Sequence, residues 1–441
     1  MEPVSVGIVS ILAVLLTIGL GIPIGFAISF VALGGLYLIG GPTLMLTSVE
    51  GIPYEFASQY GFVVIPMFIL MGAFAEISGI TKDFYDFFYR LLGKVRGGLL
   101  MVTILSSAGF AAISGSTMVN AVVFTRIALP QMLAFGYDKA LAAGCIAAAG
   151  TFAALIPPSI MMVVYALLTG QSIGALLIAG IVPGILTAAL YLVLVGFIAR
   201  LKPGLAPVPQ VQFTVREKLT SFYAVWPFVL LAAIVIGGIY SGAMAPSSAG
   251  AVGAVGAFLI MMLRSALTMQ PVSGRAVIDS MRSAAVTSAS LFLIIIAGLL
   301  LSRFFVYSGF VDEIVYTIRD LDIPPYMVMT VIVVMYLLLG CFMDTVSMTV
   351  VTVPFVYPIV VNLGYDPIWF GVIMIKLIEI GVLTPPIGLN LFAVISSADG
   401  KISTQEMFRG VIPFLVLELG ILALLFVFPP IVLWLPTLMV G

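Results

Sequence analysis

The 441-residue chain contains no histidine. That absence removes Ser-His-Asp and Cys-His catalysis, histidine-ligated haem and histidine-based zinc sites in one step. Only two cysteines occur, Cys145 and Cys341, both in apolar stretches. They are too few for a disulfide framework and read as small buried apolar residues. Charge is also scarce: 8% of residues are Asp, Glu, Lys or Arg, against about 25% in soluble domains. So few charges cannot cover a water-facing surface, and the lipid bilayer must be the solvent for most of the outside. The phosphate-cradling pattern G-x-x-x-x-G-K-[ST] does not occur, which excludes ATP hydrolysis by that route. No basic patch interleaved with aromatics points to nucleic acid. The first residues carry neither a basic n-region nor a small-residue cleavage site, so they read as a first span and not as a removed leader.

What is present is apolar sequence, 62% of the chain. A membrane-spanning helix needs about 20 mostly apolar residues. Runs of that kind fall at 4–20, 22–41, 62–79, 140–169, 174–199, 221–240, 246–264, 284–302, 368–398 and 411–430. Two further segments, about 99–134 and 326–361, are long enough to enter the bilayer and return. Each has a polar interruption near its middle: Ser114-Gly115-Ser116-Thr117 in one, Asp344-Thr345 with Ser347 in the other. They read as re-entrant helical hairpins, because non-helical backbone at membrane depth is tolerated only inside protein or beside a watery cavity. Two spans are interrupted by Pro-Pro, at Pro157-Pro158 and Pro385-Pro386. Proline lacks the backbone donor and clashes with the preceding turn, so each of these spans becomes two half-helices.

The interruptions form a repeat. Gly136-Tyr137-Asp138 matches Gly364-Tyr365-Asp366, and one constant offset of 228 residues also superposes Pro157-Pro158 on Pro385-Pro386, Pro130 on Pro358 and Thr117 on Thr345. The chain therefore divides into a first repeat (1–205), a polar linker (206–220) and a second repeat (221–441). Lysine and arginine set the orientation. If the 80–98 loop is cytoplasmic, fourteen of the eighteen basic residues lie on that side, among them Lys82, Arg90, Arg200 and Arg409, and Arg319 alone lies opposite. That is a decisive positive-inside bias. Five spans per half then make the repeat inverted. Hairpin 1 dips in from the cytoplasm, hairpin 2 from outside, and both termini lie outside. The fold class is an all-α polytopic membrane protein with an inverted repeat, two re-entrant hairpins and two Pro-Pro-broken helices.

Inverted repeats with broken helices are a transporter architecture, in which half-helix N-termini attract anionic groups and unwound carbonyls and hydroxyls hold Na⁺. The site belongs where both tips and both breaks converge. Ser114, Gly115, Ser116, Asp344, Thr345, Thr384 and Pro157 are the candidate ion-binding residues. Thr117, Asn120, Arg126, Ser347 and Asn390 are the candidates for substrate. Asp344 has two readings, since an intramembrane carboxylate marks an ion or substrate site by default but also caps a helix N-terminus. Lys376 and Glu379 share one helix face and read as a supporting ion pair beside Pro158, Pro385 and Pro386. Arg303 and Glu76, near span ends, read as interfacial.

These motifs resemble the large membrane subunit of the tripartite ATP-independent periplasmic (TRAP) transporters. The resemblance is carried by Ala111–Thr117, by Arg126 to Met132, by Ile156-Pro157-Pro158-Ser159, by Gly340 to Asp344 and by Glu379 to Asn390, and it runs over essentially the whole chain. Gln131 departs from the glutamate common at its position. The resemblance implies Na⁺-driven import of an organic anion, often a carboxylate, with no cofactor beyond the ion. It implies a periplasmic solute-binding protein that delivers substrate, a small four-helix membrane subunit that braces the large one, a bacterial inner-membrane location and an elevator motion of the hairpin-bearing domain. The rival is another inverted-repeat anion/sodium symporter that needs no binding protein; those typically carry Ser-Asn-Thr at the tips, where this chain has Ser-Gly-Ser-Thr and Met-Asp-Thr. An enzyme is not expected: Asp344 has no second buried aspartate placed to pair with it.

Overall fold

A computed structural model describes residues 3–209, 213–268 and 272–440, and every regular element among them is helical. In chain order the helices are α1 (Pro3–Gly19), α2 (Ile24–Ser58), α3 (Val64–Ile77), α4 (Ile80–Leu92), α5 (Gly98–Ser114), α6 (Thr117–Ala134), α7 (Lys139–Gly150), α8 (Phe152–Leu155), α9 (Ile160–Thr169), α10 (Ile173–Ala179) and α11 (Ile181–Leu201). The second half holds α12 (Val215–Ala224), α13 (Trp226–Tyr240), α14 (Pro246–Thr268), α15 (Gly274–Ser308), α16 (Phe310–Asp320), α17 (Pro325–Gly340), α18 (Thr345–Asn362), α19 (Pro367–Val382), α20 (Leu389–Ser397), α21 (Thr404–Val427) and α22 (Pro430–Val440). Among the described residues nine helices are long and apolar enough to cross a membrane, ten if the bent pair α7–α8 and α9 counts as one span. Two of the nine, α6 and α18, are returning arms of the hairpins.

Both hairpins and both interrupted helices are built by matching local devices. Hairpin 1 is α5–α6. Gly115 ends α5 at φ 59°, its N–H bonding Ala111, and Ser116 caps α6 by accepting from Val119 N–H. A left-handed φ at a helix end suits glycine, which has no Cβ to clash. Hairpin 2 is α17–α18, and Asp344 caps α18 by accepting from the N–H groups of Val346 and Ser347. Further on, Gly136 and Gly364 sit at φ 76° and 86°, and Asp138 and Asp366 cap α7 and α19. Both Pro-Pro peptides, Pro157-Pro158 and Pro385-Pro386, are cis. Ser116 and Asp344, Asp138 and Asp366, and the two Pro-Pro pairs all stand 228 positions apart.

The helices pack into two groups that meet chiefly where α15 lies on α18 and α3 lies on α5. One group holds α2, α3, α13, α14 and α15; the other holds both hairpins, both interrupted helices, α11 and α21. Within the second group α9 lies against α18 and α20 against α6, so the far half of each interrupted helix supports the other repeat's hairpin. Small residues make these approaches possible, as at other membrane helix interfaces. A Cβ on Gly144 would sit 2.1 Å from the Gly410 carbonyl oxygen, and one on Gly340 would sit 2.4 Å from Gly381 Cα.

Several boundaries differ from the hydropathy reading. The run 22–41 continues as helix to Ser58 after a break at Gly41 (φ 66°, ψ −167°), where Pro42 opens the new segment. The run 284–302 is the apolar middle of the 35-residue α15. The linker 206–220 contains the start of α12, closed by a capping box between Thr214 and Glu217. The segments after Gly79 and Gly309 are helices α4 and α16, not loops. Each alternates polar and apolar faces and averages low hydropathy, which hides it from a test for spans. An ion pair from Asp83 to Arg264 ties α4 to α14.

Candidate functional site

Hairpin 1 rests on the first Pro-Pro break. A Cβ on Gly115 would lie 2.8 Å from the Pro158 carbonyl oxygen, so only glycine lets the tip approach this closely. Hairpin 2 rests on the second break, where the Cys341 thiol points at the Pro385 carbonyl oxygen at 3.8 Å. The two tips then face each other across a cavity of about 260 Å³. Its walls bring together Ser114, Gly115, Ser116 and Thr117 from hairpin 1, Asp344 and Thr345 from hairpin 2, and Asn390 from the start of α20. Seven of the twelve candidate ion and substrate residues therefore share one cavity.

The polar atoms there are partly unspent. Ser114 Oγ and Asn390 Nδ2 are both buried without a hydrogen-bond partner. A buried donor or acceptor left unpaired costs about 1–3 kcal/mol, so both atoms are free to meet a ligand. Ser114 also closes α5, whose last carbonyls carry the negative end of the helix dipole and suit a cation. The N-terminus of α6 opens on the same cavity and suits an anion, whereas that of α18 is already capped by the Asp344 carboxylate. Among the described residues no three His, Cys, Asp or Glu side chains gather as a metal cluster.

The remaining candidates do other work in this arrangement. Asp344 spends one carboxylate oxygen on the N–H groups of Val346 and Ser347 at 3.0 and 3.1 Å, and the other accepts from Ser347 Oγ. Ser347 is thereby buried against its own cap. Asn120 is fully buried, accepting from Ser107 Oγ at 3.0 Å and donating to the Ser107 carbonyl at 3.2 Å, while Ser107 Oγ also bonds the Ala149 carbonyl. That trio ties α5, α6 and α7 together beneath the tip. Thr384 donates to the Ile380 carbonyl at 2.6 Å. Pro157, Pro158, Pro385 and Pro386 shape the breaks and do not line the cavity. Arg126 is exposed on α6, outside the cavity wall, with its charge reaching Glu76.

Three polar lining residues were not among the sequence candidates. Glu76, read from the sequence as interfacial, reaches the cavity from α3, and Ser283 and Thr287 reach it from α15. The signal for the latter two was present as a run of small and hydroxyl residues, Ser283 to Ser290, leading into the apolar part of α15. Lys376 and Glu379 pair as expected at 3.2 Å, and they acquire partners from α11 and α21 that were not foreseen.

An all-helical membrane protein with two hairpins meeting over one mostly apolar cavity that carries a few polar groups has the build of a solute carrier. Comparison with known proteins narrows the class. Residues 9–431 match the family described as tripartite ATP-independent periplasmic transporter, DctM component. The C4-dicarboxylate TRAP transporter large permease protein DctM of Pseudomonas aeruginosa is 34% identical over 90% of this chain and 93% of that protein. The sialic acid TRAP transporter large permease protein SiaM of Vibrio cholerae is 32% identical over 96% of each. The solved YdaH transporter of Alcanivorax borkumensis shares the fold at a TM-score of 0.62 and 18% identity, over 88% of each chain. The chain belongs to the tripartite ATP-independent periplasmic transporter family, as its large permease component. It is a multi-pass membrane permease of a solute transport system whose other parts are a periplasmic binding protein and a small membrane subunit.

Proposed function

We propose that the protein imports an organic anion, a carboxylate, across the bacterial inner membrane by coupling it to Na⁺. The observation that carries this reading is the cavity at the hairpin tips, where an unspent serine hydroxyl and a helix C-terminus adjoin the N-terminus of α6. Ser114 Oγ and the carbonyls closing α5 would hold the cation. Thr117, Thr345, Asn390 and the amides opening α6 would hold a carboxylate. Both named relatives have carboxylates as their printed solutes, a C4-dicarboxylate and sialic acid. One net charge crossing 100 mV is worth about 2.3 kcal/mol, so a few Na⁺ per cycle suffice to concentrate an anion.

Alternating access follows from two helix groups. The hairpin group moves past α2, α3, α13, α14 and α15 like an elevator, carrying the cavity with it, and the two halves of the chain are inverted copies. By the positive-inside distribution the Glu76 end of α3 and the Gly274 end of α15 are cytoplasmic, and both termini are periplasmic. The cavity wall at Glu76 and Ser283, and the 45% and 40% exposure of Met118 and Val119, then correspond to an inward-facing state.

The test is uptake into proteoliposomes containing the permease and its small subunit, with the binding protein and labelled dicarboxylates or sialic acid outside. Uptake is expected only with an inward Na⁺ gradient and only with the binding protein. Uptake that ignores Na⁺ and follows a proton gradient overturns the coupling ion. Full uptake without the binding protein moves the chain to the rival class of stand-alone symporters.

A further inference from the structure

Away from the tip cavity, three ionisable side chains are sealed inside the hairpin-bearing group. Lys376 and Glu379 on α19 and Glu418 on α21 have side chains at most 1% exposed. Lys376 Nζ lies 2.6 Å from Glu418 Oε2, 3.2 Å from Glu379 Oε2 and 3.2 Å from Thr187 Oγ1 on α11. Tyr191, also on α11, donates its O–H to Glu418 Oε1 at 2.5 Å. Fully ionised, the cluster would carry one cation and two anions.

Nothing nearby offsets the excess negative charge. The other helices packed on α19 are α8, α9, α10, α17, α18, α20 and α22, and none contains Asp, Glu, Lys, Arg or His. Their titratable groups lie elsewhere: Tyr165 O–H is on the Pro367 carbonyl, Tyr336 O–H on Thr352, Tyr357 accepts from Gln171, Tyr326 is exposed, and the Cys341 thiol is on backbone carbonyls. Cys145 of α7 lies beside Tyr191 and its thiol points at the Leu100 carbonyl. An uncompensated buried charge is expensive, and such a group takes up a proton in preference to staying ionised.

The two carboxyls are not equivalent. Glu418 is served on one oxygen by Tyr191 and on the other by the closer approach of Lys376. Glu379 has only the longer contact to Lys376, and its Oε1 is buried with no hydrogen-bond partner at all. We propose that Glu379 is a proton site: its carboxyl is held protonated at neutral pH, so that Lys376 and Glu418 form a neutral pair and the cluster carries no net charge. The proton belongs to the body of the hairpin group and is separate from the tip cavity, so the inference stands whichever ion drives transport.

The test is infrared spectroscopy of the purified permease with its small subunit at neutral pH, following the carbonyl stretch of protonated carboxylic acids. Subtracting Glu379→Gln from the parent is expected to leave one such band, and this variant, which keeps the cluster neutral, is expected to retain parental uptake. Glu418→Gln is expected to lose the same band, because Glu379 then ionises to pair with Lys376. Lys376→Met is expected to gain a second band, since neither carboxyl has a cation left. No difference between parent and Glu379→Gln overturns the proposal. So does an unchanged spectrum in Lys376→Met, which serves if the glutamine variant fails to fold.

Discussion

Hairpin 2 is positioned by two glycines with no room for a side chain. Gly340 ends α17 and Gly381 lies in α19, and a Cβ on either would stand 2.4 or 2.6 Å from the other's Cα. Ordinary contact begins near 3.4 Å, so Gly340→Ala must part the two helices by about 1 Å. The obstacle is backbone on both sides and cannot swing aside. Overpacking of this kind costs about 1–3 kcal/mol. The displaced element is the arm that ends four residues before Asp344, so the tip moves with it. Gly340→Ala is therefore expected to lower the unfolding midpoint and to raise the substrate concentration needed for half-maximal uptake. The double variant Gly340→Ala/Gly381→Ala is expected to cost less than the sum of the singles, because both open the same gap. Gly420→Ala is the control. It stands exposed on α21 with nothing within 4 Å of a new Cβ, and in a helix alanine is favoured over glycine by up to about 1 kcal/mol. Its midpoint should stay or rise. Scanning fluorimetry of the four proteins decides the matter: equal midpoints for Gly340→Ala and Gly420→Ala would refute the close-packing argument.

Other perturbations follow from the same geometry. Asn120→Ala removes both of its hydrogen bonds to Ser107 from the core beneath hairpin 1, leaving the Ser107 hydroxyl only the Ala149 carbonyl, and should cost about 1–3 kcal/mol, read as a lower midpoint with Na⁺ present and absent alike. Lys376→Met should destabilise by about 3–5 kcal/mol, because Glu418 loses its buried cation and must take up a proton instead, whereas Lys376→Met/Glu418→Met should recover much of that loss. Outside the membrane, Glu217 and Glu406 are held below the usual carboxylate range, first by the capped backbone N–H of Thr214 and Ser403 and then by those residues' hydroxyls. A depressed pKa contributes stability that is present above the ordinary value of 4.5 and lost as pH falls through the lowered one. Ser403→Ala should cost about 1 kcal/mol near neutrality and flatten the acid limb of a midpoint-against-pH curve.

What could be read from the residues was what breaks a pattern. Pro157-Pro158, Pro385-Pro386 and the polar tips interrupt apolar runs, and backbone rules alone say that a helix stops there. Their constant spacing exposed the repeat. The surface helices α4 and α16 stayed hidden because their faces alternate and average out. The continuation of α2 past Gly41 stayed hidden because glycine and proline usually end a helix, and here the chain turns and starts another. The site was legible as a location but less so residue by residue. Asn120, Ser347 and Thr384 have the right chemistry at the right spacing, yet they spend their groups on neighbours that only the packing reveals. Glu418 is a lone carboxylate in the apolar run 411–430. Its partner Tyr191 is 227 residues away, so no local pattern could join them.

The central claim is a sodium site at the hairpin tips, and thermal unfolding tests it without knowledge of the substrate. The permease with its small subunit would be melted in Na⁺, K⁺ and choline at matched ionic strength. A ligand at about 100 times its dissociation constant stabilises by about 2.7 kcal/mol. The account predicts that Na⁺ alone raises the midpoint and that Ser114→Ala abolishes the rise without lowering the midpoint in K⁺. Identical midpoints in all three cations, or a sodium shift that survives Ser114→Ala, would contradict it.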